Sequence, residues 1–463
     1  MGLLETRNLD FDYIYMPGLN DKVMPRSGFT RTFIPNHVRF GFGMPPSNFP
    51  ETLFAYYFYR LLGKSRKVVL TYDSRATDNL KGSVSRYVLQ LKHLFSNVNL
   101  QEVEARFSSQ ISQRETLVIP KDERVAEVLE DFKVKGKTCK YTLSSTALGT
   151  YCSCPVKFMF RYIQRQKIEE EPIEAIDALE QGDIIHDAIL QLYLPDEKTR
   201  NVFLEEPVKV TESYIRNILE NEDLLISELK KSINRKHYHL EGEAVETHEM
   251  EGSVPYVFDT LLGQLKNILR YDLTQVPFEL VGCEFSEKVD VRIDDDTTVR
   301  MVLIIDRLDY FEDKNLLRIV DYKTGKVHLV ADTTESIFNG EYKAKNMLQL
   351  LLYGYLLKIM MEKGENNALQ KYIDKPLSTE IYDILNMSDP KSYKEALPTI
   401  SDEDIRFFNE KTSQWFSEGL KDKIRELFNL EIPFAGSDNK RDCEYCDFKI
   451  HCEAIRIRRV ENP

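Results

Sequence analysis

The sequence predicts an α/β protein in which a central mixed sheet is flanked by helices and preceded by a smaller α/β domain. Between residues 278 and 322, valine and isoleucine alternate with charged residues. The polar segments 294–296 and 312–315 interrupt this alternation, which predicts three strands joined by two turns. An apolar helix expected over about 346–361 would cover the sheet. Strand and helix signals within residues 1–100 predict the smaller domain.

The chain is long enough for more than one domain, because its 463 residues exceed the size at which a single core stops growing. We place a first domain at 1–130 and a second at 141–463, with a helical insertion at about 195–275. The elements predicted for the first domain are strands at 13–16 and 67–72 and helices at about 52–62 and 84–95. Residues 100–140 are expected to form a connection.

Local signals place further helices in the second domain. Ser144 or Ser145 is a candidate cap for a short helix that ends near Tyr151, and Pro155 suits the first turn of the next helix. The predicted helices are 145–151, 155–168 and 183–193, most of 200–275, and most of the C-terminal third of the chain.

Composition and charge argue against several classes of protein. The net charge of −13 argues mildly against a nucleic-acid binder, unless basic groups are clustered or a partner supplies most of the DNA contact. No apolar run approaches the roughly 20 residues that span a bilayer, and the first residues do not form a secretory signal. Seven cysteines, an odd number, argue against a disulfide framework and favour a reducing cytoplasm.

Two carboxylates of the predicted sheet are expected to face each other. If 312–315 forms the turn, Asp306 and Asp321 are equidistant from its centre, with β-carbons about 4.5–5.5 Å apart. Such a pair repels unless a cation lies between them, and a hard divalent metal fits. Lys323 follows Asp321 by two residues and projects from the same face. Two acids and a lysine are what metal-assisted phosphodiester hydrolysis needs.

Two points about this hairpin stay open in the residues themselves. Glu284, on the preceding strand, is a further candidate, but the sequence does not fix its register. The alternative is an ordinary solvated hairpin, which spacing alone slightly favours. The apolar flanks 303–305 and 316–320 favour a buried sheet, in which unpaired acids would be costly.

These residues resemble the PD-(D/E)XK nuclease superfamily, and its RecB/AddB branch in particular. The matching segments follow in the family's order at 144–151, 154–158, 182–186, 305–309, 321–325 and 349–353. The resemblance implies a restriction-endonuclease-like fold and an exonuclease-type deoxyribonuclease. One departure is Leu303, where related sequences often have glycine.

The resemblance also implies roles for individual residues. His186, Asp306 and Asp321 would ligate Mg²⁺ (or Mn²⁺), Lys323 would be the catalytic lysine, and Glu284 would support the site. Gln349 and Tyr353, one helical turn apart, would line it. Without the resemblance, His186 would be interpreted as a core histidine, and Gln349 and Tyr353 as helix packing.

Three cysteines near the C-terminus have the spacing of a metal site. Cys443, Cys446 and Cys452 can hold one metal centre, which needs a fourth ligand. The resemblance implies Cys154 as that ligand and a [4Fe–4S] cluster that joins the start of the domain to its end. Structural zinc is the alternative, and Cys152 could replace Cys154. Cys139 and Cys283 are expected to bind no metal.

The first domain resembles the C-terminal part of superfamily-one helicase folds, as found in AddB-type subunits. The segments are 2–12, 19–25 and 57–72, and the chain has no Gly-x-x-x-x-Gly-Lys-Ser/Thr loop for ATP. The resemblance implies that the chain is a piece of a longer protein and that its partner is the helicase subunit of an AddAB/RecBCD-like complex. The alternative is an unrelated packing domain.

Two basic clusters are candidates for DNA contact. Lys157, Arg161 and Arg165 are spaced by four on one predicted helix, and a second cluster is Arg456, Arg458 and Arg459. The first functional hypothesis is a DNA nuclease in double-strand-break repair and recombination. The second is a catalytically silent DNA-end-binding or scaffolding subunit. A third, a stand-alone nuclease like CRISPR-associated exonucleases, fits the helicase-like start poorly.

Overall fold

The computed structural model describes the chain in two units, Met1–Ser112 and Gln113–Pro463. Outside the described residues lie 1–2, 4, 7–8, 22, 26–33, 45–48, 75–82, 96–97, 105–115, 167–175, 197–199, 201, 365, 388–392, 394–397, 402, 438, 445 and 462–463. Backbone but not side chains is described at 36, 49–51, 440–441 and 456–461.

The strands are β1 Tyr13–Met16, β2 Lys67–Leu70, β3 Val118–Ile119, β4 Phe203–Val210, β5 Phe278–Arg292, β6 Thr298–Phe311, β7 Leu316–Lys323, β8 Val330–Ala331, β9 Leu377–Asp383, β10 Thr399–Ile400, β11 Glu403–Asp404 and β12 Phe434–Ala435. The α-helices are α1 Asn36–Gly41, α2 Phe49–Leu62, α3 Arg86–Leu94, α4 Glu123–Glu130, α5 Ser145–Ser153, α6 Pro155–Phe158, α7 Ala178–Tyr193, α8 Glu212–Glu220, α9 Glu222–Lys236, α10 Ala244–Thr247, α11 Val254–Gln275, α12 Thr334–Phe338, α13 Lys345–Lys363, α14 Glu410–Phe428, α15 Lys440–Glu444 and α16 Lys449–Glu461.

The first unit contains the predicted strands and helices. β1 and β2 pair in parallel, and Leu19, Phe58, Tyr87 and Leu91 form a small core beside them. The segment 2–12, on which part of the helicase resemblance rests, lies partly outside the described residues. The helicase-like identity of this unit therefore stays a prediction.

The boundary between the units lies earlier than the sequence suggested. The first unit ends at Ser112 rather than at 130, and residues 116–140 of the segment that we expected to be a connection belong to the second unit. β3 pairs with β12 near the other end of the chain. The Lys121 ammonium donates hydrogen bonds to the backbone carbonyls of Glu426, Leu427 and Asn429 at the end of α14. These long-range contacts have no signal in the local sequence.

A five-stranded mixed sheet forms the centre of the second unit, in the order β4-β5-β6-β7-β9. The predicted strands β5, β6 and β7 are antiparallel neighbours, and β7 pairs in parallel with β9. Two expectations were wrong: β4 lies in the region expected to be helical, and β9 interrupts the expected helical C-terminal third. Each is an outer strand whose pairing, rather than its own pattern, fixes its structure.

Helices cover both faces of this sheet and enclose two hydrophobic cores. One core packs α5, α13 and α14 against the sheet, and the other packs α7, α8, α9 and α11 against the opposite face. This three-layer arrangement is the α/β fold class that the sequence predicts. In the described part of the chain, no helix has the length and apolar character needed to cross a membrane.

Two helix boundaries differ from the prediction. The helix that starts at Pro155 passes into a π-helical turn, Met159–Ile163, and ends there instead of at 168. The next helix starts at Ala178 rather than at 183, because the Asp177 side chain accepts hydrogen bonds from the first backbone amides.

Candidate active site

The β6–β7 hairpin brings the predicted acids together in the expected register. Arg307 pairs with Val320 and Leu308 with Ile319, so continuing this register sets Asp306 opposite Asp321. Lys323 projects to the same side as Asp321, and its Nζ lies 2.6 Å from Asp321 Oδ2. The contact between Lys323 and Asp321 places these two side chains on one side of the strand, as predicted; the catalytic roles of all three residues stay predictions.

Three side chains from three elements form a possible metal-ligand set. Ligand atoms of His186 on α7, Glu284 on β5 and Asp306 on β6 all lie within 4.8 Å of one another. His186 Nδ1 is 2.8 Å from Glu284 Oε1 and 3.7 Å from Asp306 Oδ1. One imidazole nitrogen and two carboxylates form a donor set that suits a divalent cation.

Glu284 reaches this set because β5 is irregular. The register of β5 against β6 shifts between Leu280 and Gly282, and Glu284 itself has a φ of 51°. A non-glycine residue in this left-handed region costs on the order of 1–3 kcal/mol, a strain that is typical of functional sites. Sequence reasoning named Glu284 as a candidate but could not place it, since a bulge has no clear local signal.

A chain of polar contacts holds Asp321 from the side of α13. Gln349 Nε2 donates to Asp321 Oδ1 at 3.0 Å and contacts the Tyr353 hydroxyl at 3.1 Å. The Tyr353 hydroxyl lies 3.2 Å from Ser145 Oγ. Ser144 caps α5, which leaves the Ser145 side chain for this contact. The sequence offered Ser145 only as an alternative cap, so its place in the site was missed.

Protonated groups in the site balance the charge of its buried carboxylates, as a bound cation would. Burial raises the pKa of Asp321 to about 6, and burial also raises that of Asp306. Burial alone would lower the pKa of His186, but the carboxylates of Asp306, Glu284 and Asp321 outweigh it and raise this pKa to about 10. Lys323 shows the same balance: burial opposes its charge, and the carboxylates of Asp321 and Asp306 raise its pKa. A divalent cation would satisfy the same carboxylates.

The four cysteines implied as cluster ligands line one cavity of about 940 Å³. Cys154 lies between α5 and α6, whereas Cys443, Cys446 and Cys452 lie near the C-terminus, and no disulfide links any cysteine among the described residues. Cys152 also lines this cavity, but burial raises the pKa of its thiol to about 12, which disfavours a thiolate. Among the described residues, these thiols form no group of three within 4.8 Å of one another, so a metal centre in this cavity stays a prediction. Cys283 lies buried elsewhere, with burial raising the pKa of its thiol.

The predicted basic stripe does not form on one helix. Lys157 Nζ lies 3.6 Å from Asp447 Oδ2, and Arg161 lines the cysteine cavity. Arg165 lies beyond the π-helical turn with a φ of 54°, and its guanidinium stacks 3.8 Å from the ring centre of Tyr141. Arg165 therefore does not share a helix face with the other two. The side chains of Arg456, Arg458 and Arg459 lie outside the described residues.

The fold and the site together define a class of protein. A helix-covered mixed sheet carries two acids and a lysine on adjacent strands next to a histidine, as in metal-dependent hydrolases of phosphodiesters. A family model described as the PD-(D/E)XK nuclease superfamily matches residues 142–453, and the chain belongs to this superfamily. No curated protein matches the chain.

Proposed function

We propose that the chain is a divalent-metal-dependent deoxyribonuclease of exonuclease type, of the RecB/AddB kind, that acts in double-strand-break repair and recombination. The observation that carries this proposal is the cluster of His186, Glu284 and Asp306 beside the Asp321–Lys323 pair. Superfamily membership supports nuclease chemistry. The choice of DNA and of a repair role rests on the motif resemblance.

Each side chain in the site has a definable task. His186, Glu284 and Asp306, with Asp321 beside them, would hold Mg²⁺ or Mn²⁺. When bound, such an ion supplies Lewis-acid stabilisation of phosphate charge and lowers the pKa of a water molecule. The Lys323 ammonium, held by Asp321, orients a water molecule or stabilises charge on the attacked phosphate. Gln349 fixes one oxygen of Asp321, and Tyr353 fixes Gln349.

A [4Fe–4S] cluster held by Cys154, Cys443, Cys446 and Cys452 is the second part of the proposal, with zinc as the alternative metal. The shared cavity supports it, because thiols that lie almost 300 residues apart in the chain line the same cavity. Such a cluster would stabilise the packing of α15 and α16 against α5 and α6 and would take no part in hydrolysis.

The proposed partners are DNA and the helicase subunit of an AddAB/RecBCD-like complex. The net charge of −13 fits a subunit whose partner provides most of the phosphate contacts. Lys157 and Arg161 are the candidates on this chain for contact with the strand, while Arg165 is a weaker one because it is stacked on Tyr141.

A cleavage assay with the full chain tests the proposal. End-labelled single- and double-stranded DNA is incubated with Mg²⁺, with Mn²⁺ or with EDTA, and Asp306→Asn serves as the inactive comparison. Metal-dependent release of short products by the wild type alone supports the nuclease. DNA binding without cleavage in either metal would instead indicate a silent end-binding subunit.

A further inference from the structure

A buried group of charges and phenols lies behind the strands of the metal site. Arg307 and Asp272 are fully buried, and the guanidinium donates to both Asp272 oxygens at 2.7 and 2.8 Å. The same guanidinium donates to the hydroxyls of Tyr322 at 2.8 Å and of Tyr382 at 3.0 Å. We call these four residues the Arg307 network.

Stability alone does not account for this network. Replacing a buried ion pair by apolar groups of the same volume is often neutral or stabilising, because desolvation offsets the attraction. What such a network does provide is a fixed geometry, since every donor and acceptor has one partner arrangement. The Arg307 network can therefore hold neighbouring groups in a fixed position.

Tyr322 connects the network to the metal site through its main chain. Its backbone N–H donates to Asp306 Oδ2 at 2.8 Å, and its carbonyl oxygen lies 3.3 Å from His186 Nε2. The His186 ring also packs edge-on against the Tyr322 ring, with centroids 5.5 Å apart. One residue thus contacts two of the three groups that could hold a metal, and its side chain ends on Arg307.

We propose that Arg307 and Tyr322 are positioning residues for the metal site, an inference that rests on the proposed nuclease function. Arg307 fixes the phenol of Tyr322, and the Tyr322 main chain fixes the carboxylate of Asp306 and the imidazole of His186. Among the described residues, neither the Arg307 guanidinium nor the Tyr322 hydroxyl is hydrogen-bonded to His186, Glu284 or Asp306. Loosening Tyr322 therefore weakens metal binding through the orientation of its ligands.

The chain offers a matched pair of variants for the test. Tyr322→Phe and Tyr382→Phe each remove one buried hydroxyl from the same guanidinium, but Tyr382 lies on β9 and, among the described residues, has no hydrogen bond to His186, Glu284 or Asp306. Mn²⁺ alone is the probe, and free Mn²⁺ is counted by electron paramagnetic resonance at pH 8. Thermal melting in EDTA reports folding independently of metal.

We expect Tyr322→Phe to weaken Mn²⁺ binding about tenfold, the usual effect of losing a residue that orients metal ligands. Tyr382→Phe should stay within about twofold of the wild type, although it melts at a similarly lowered temperature. Asp272→Asn, which loosens Arg307 from its other side, should weaken Mn²⁺ binding in the same direction and keeps the test valid if Tyr322→Phe does not fold.

Two negative outcomes are distinguishable. A wild-type chain that binds no Mn²⁺ would refute the proposed metal-dependent function, and the positioning role with it. A wild type that binds Mn²⁺, with Tyr322→Phe and Tyr382→Phe weakened equally or not at all, would refute the positioning role and leave the proposed nuclease intact.

Discussion

Lys323 Nζ lies 2.6 Å from Asp321 Oδ2, and the two side chains share one side of β7 while Tyr322 between them projects into the opposite core. The Asp321 side chain is almost fully buried and that of Lys323 is a quarter exposed. The ammonium therefore lies on the solvent side of the buried carboxylate.

Removing this ammonium should abolish most of the cleavage activity. Lys323→Ala is expected to lower the single-turnover rate on labelled DNA by about 10²–10³-fold, the effect of losing one preorganised donor to a developing anion. Lys326→Ala, three residues further on and exposed, is the control and should cut at the wild-type rate. A Lys323→Ala variant that cuts as fast as Lys326→Ala would exclude the proposed role of Lys323.

Metal binding should release a proton. In the metal-free site the carboxylates raise the pKa of His186 to about 10 against the opposing effect of burial, so its ring carries a proton at neutral pH. A metal ligand must be a neutral imidazole, so the cation displaces this proton and its affinity rises with pH. Asp321, whose burial raises its pKa to about 6, is already ionised above that pH and contributes little there.

The expected slope is up to a tenfold gain in Mn²⁺ affinity for each pH unit between about pH 7 and 9, the limit for one released proton. Titration calorimetry in two buffers of different ionisation enthalpy measures the released proton directly. His186→Asn, which has no such proton, should bind more weakly and with a flatter dependence. Wild-type affinity that does not change between these pH values would contradict this linkage.

Much of the hairpin was predictable because its partners are neighbours in sequence. The turn at 312–315 sets the register of β6 and β7, and with it the placement of Asp306, Asp321 and Lys323. Glu284 was not predictable in the same way, since its direction depends on a register shift in β5. The local pattern of 305–309 does not show which side chains face the metal site. Asp306 faces it, whereas Arg307 is buried in the Arg307 network.

Long-range pairing accounts for the other differences. β9 joins the sheet beside β7 only after a long crossover, the connection that parallel strands require, so its place is invisible to a local pattern. Residues 116–140 pack against elements near the C-terminus, as the contacts of Lys121 show. Arg165 leaves its helix because a π-helical turn, rather than regular α-helix, precedes it.

The buried ammonium of Lys121 should contribute to the stability of the second unit. It donates to three backbone carbonyls at the end of α14, at 3.0, 2.7 and 2.9 Å. Lys121→Met leaves these acceptors without their donor and is expected to cost about 2–4 kcal/mol in the free energy of unfolding. Urea unfolding followed by far-ultraviolet circular dichroism measures the change.

Lys140→Met is the control for this measurement, because Lys140 forms an exposed ion pair with Asp131 and should change stability by less than about 1 kcal/mol. Equal midpoints for the two variants would show that the contacts of Lys121 are dispensable and that residues 116–140 are only loosely attached.

The cluster proposed for the cysteine cavity should give the protein a visible absorption band and a defined metal content. Anaerobically purified protein should have a broad absorption band at roughly 400 nm, as thiolate-bound iron–sulfur clusters do, and about four irons per chain. Cys446→Ser removes one of the thiols that line the cavity, so it should lose the band and melt at a lower temperature. Cys139→Ser changes a cysteine outside this cavity and should keep both the absorption band and the melting temperature of the wild type.

Colourless protein that carries one zinc per chain would replace the iron–sulfur assignment with a structural zinc site. Protein free of both metals, with Cys446→Ser as stable as the wild type, would remove the metal cluster altogether.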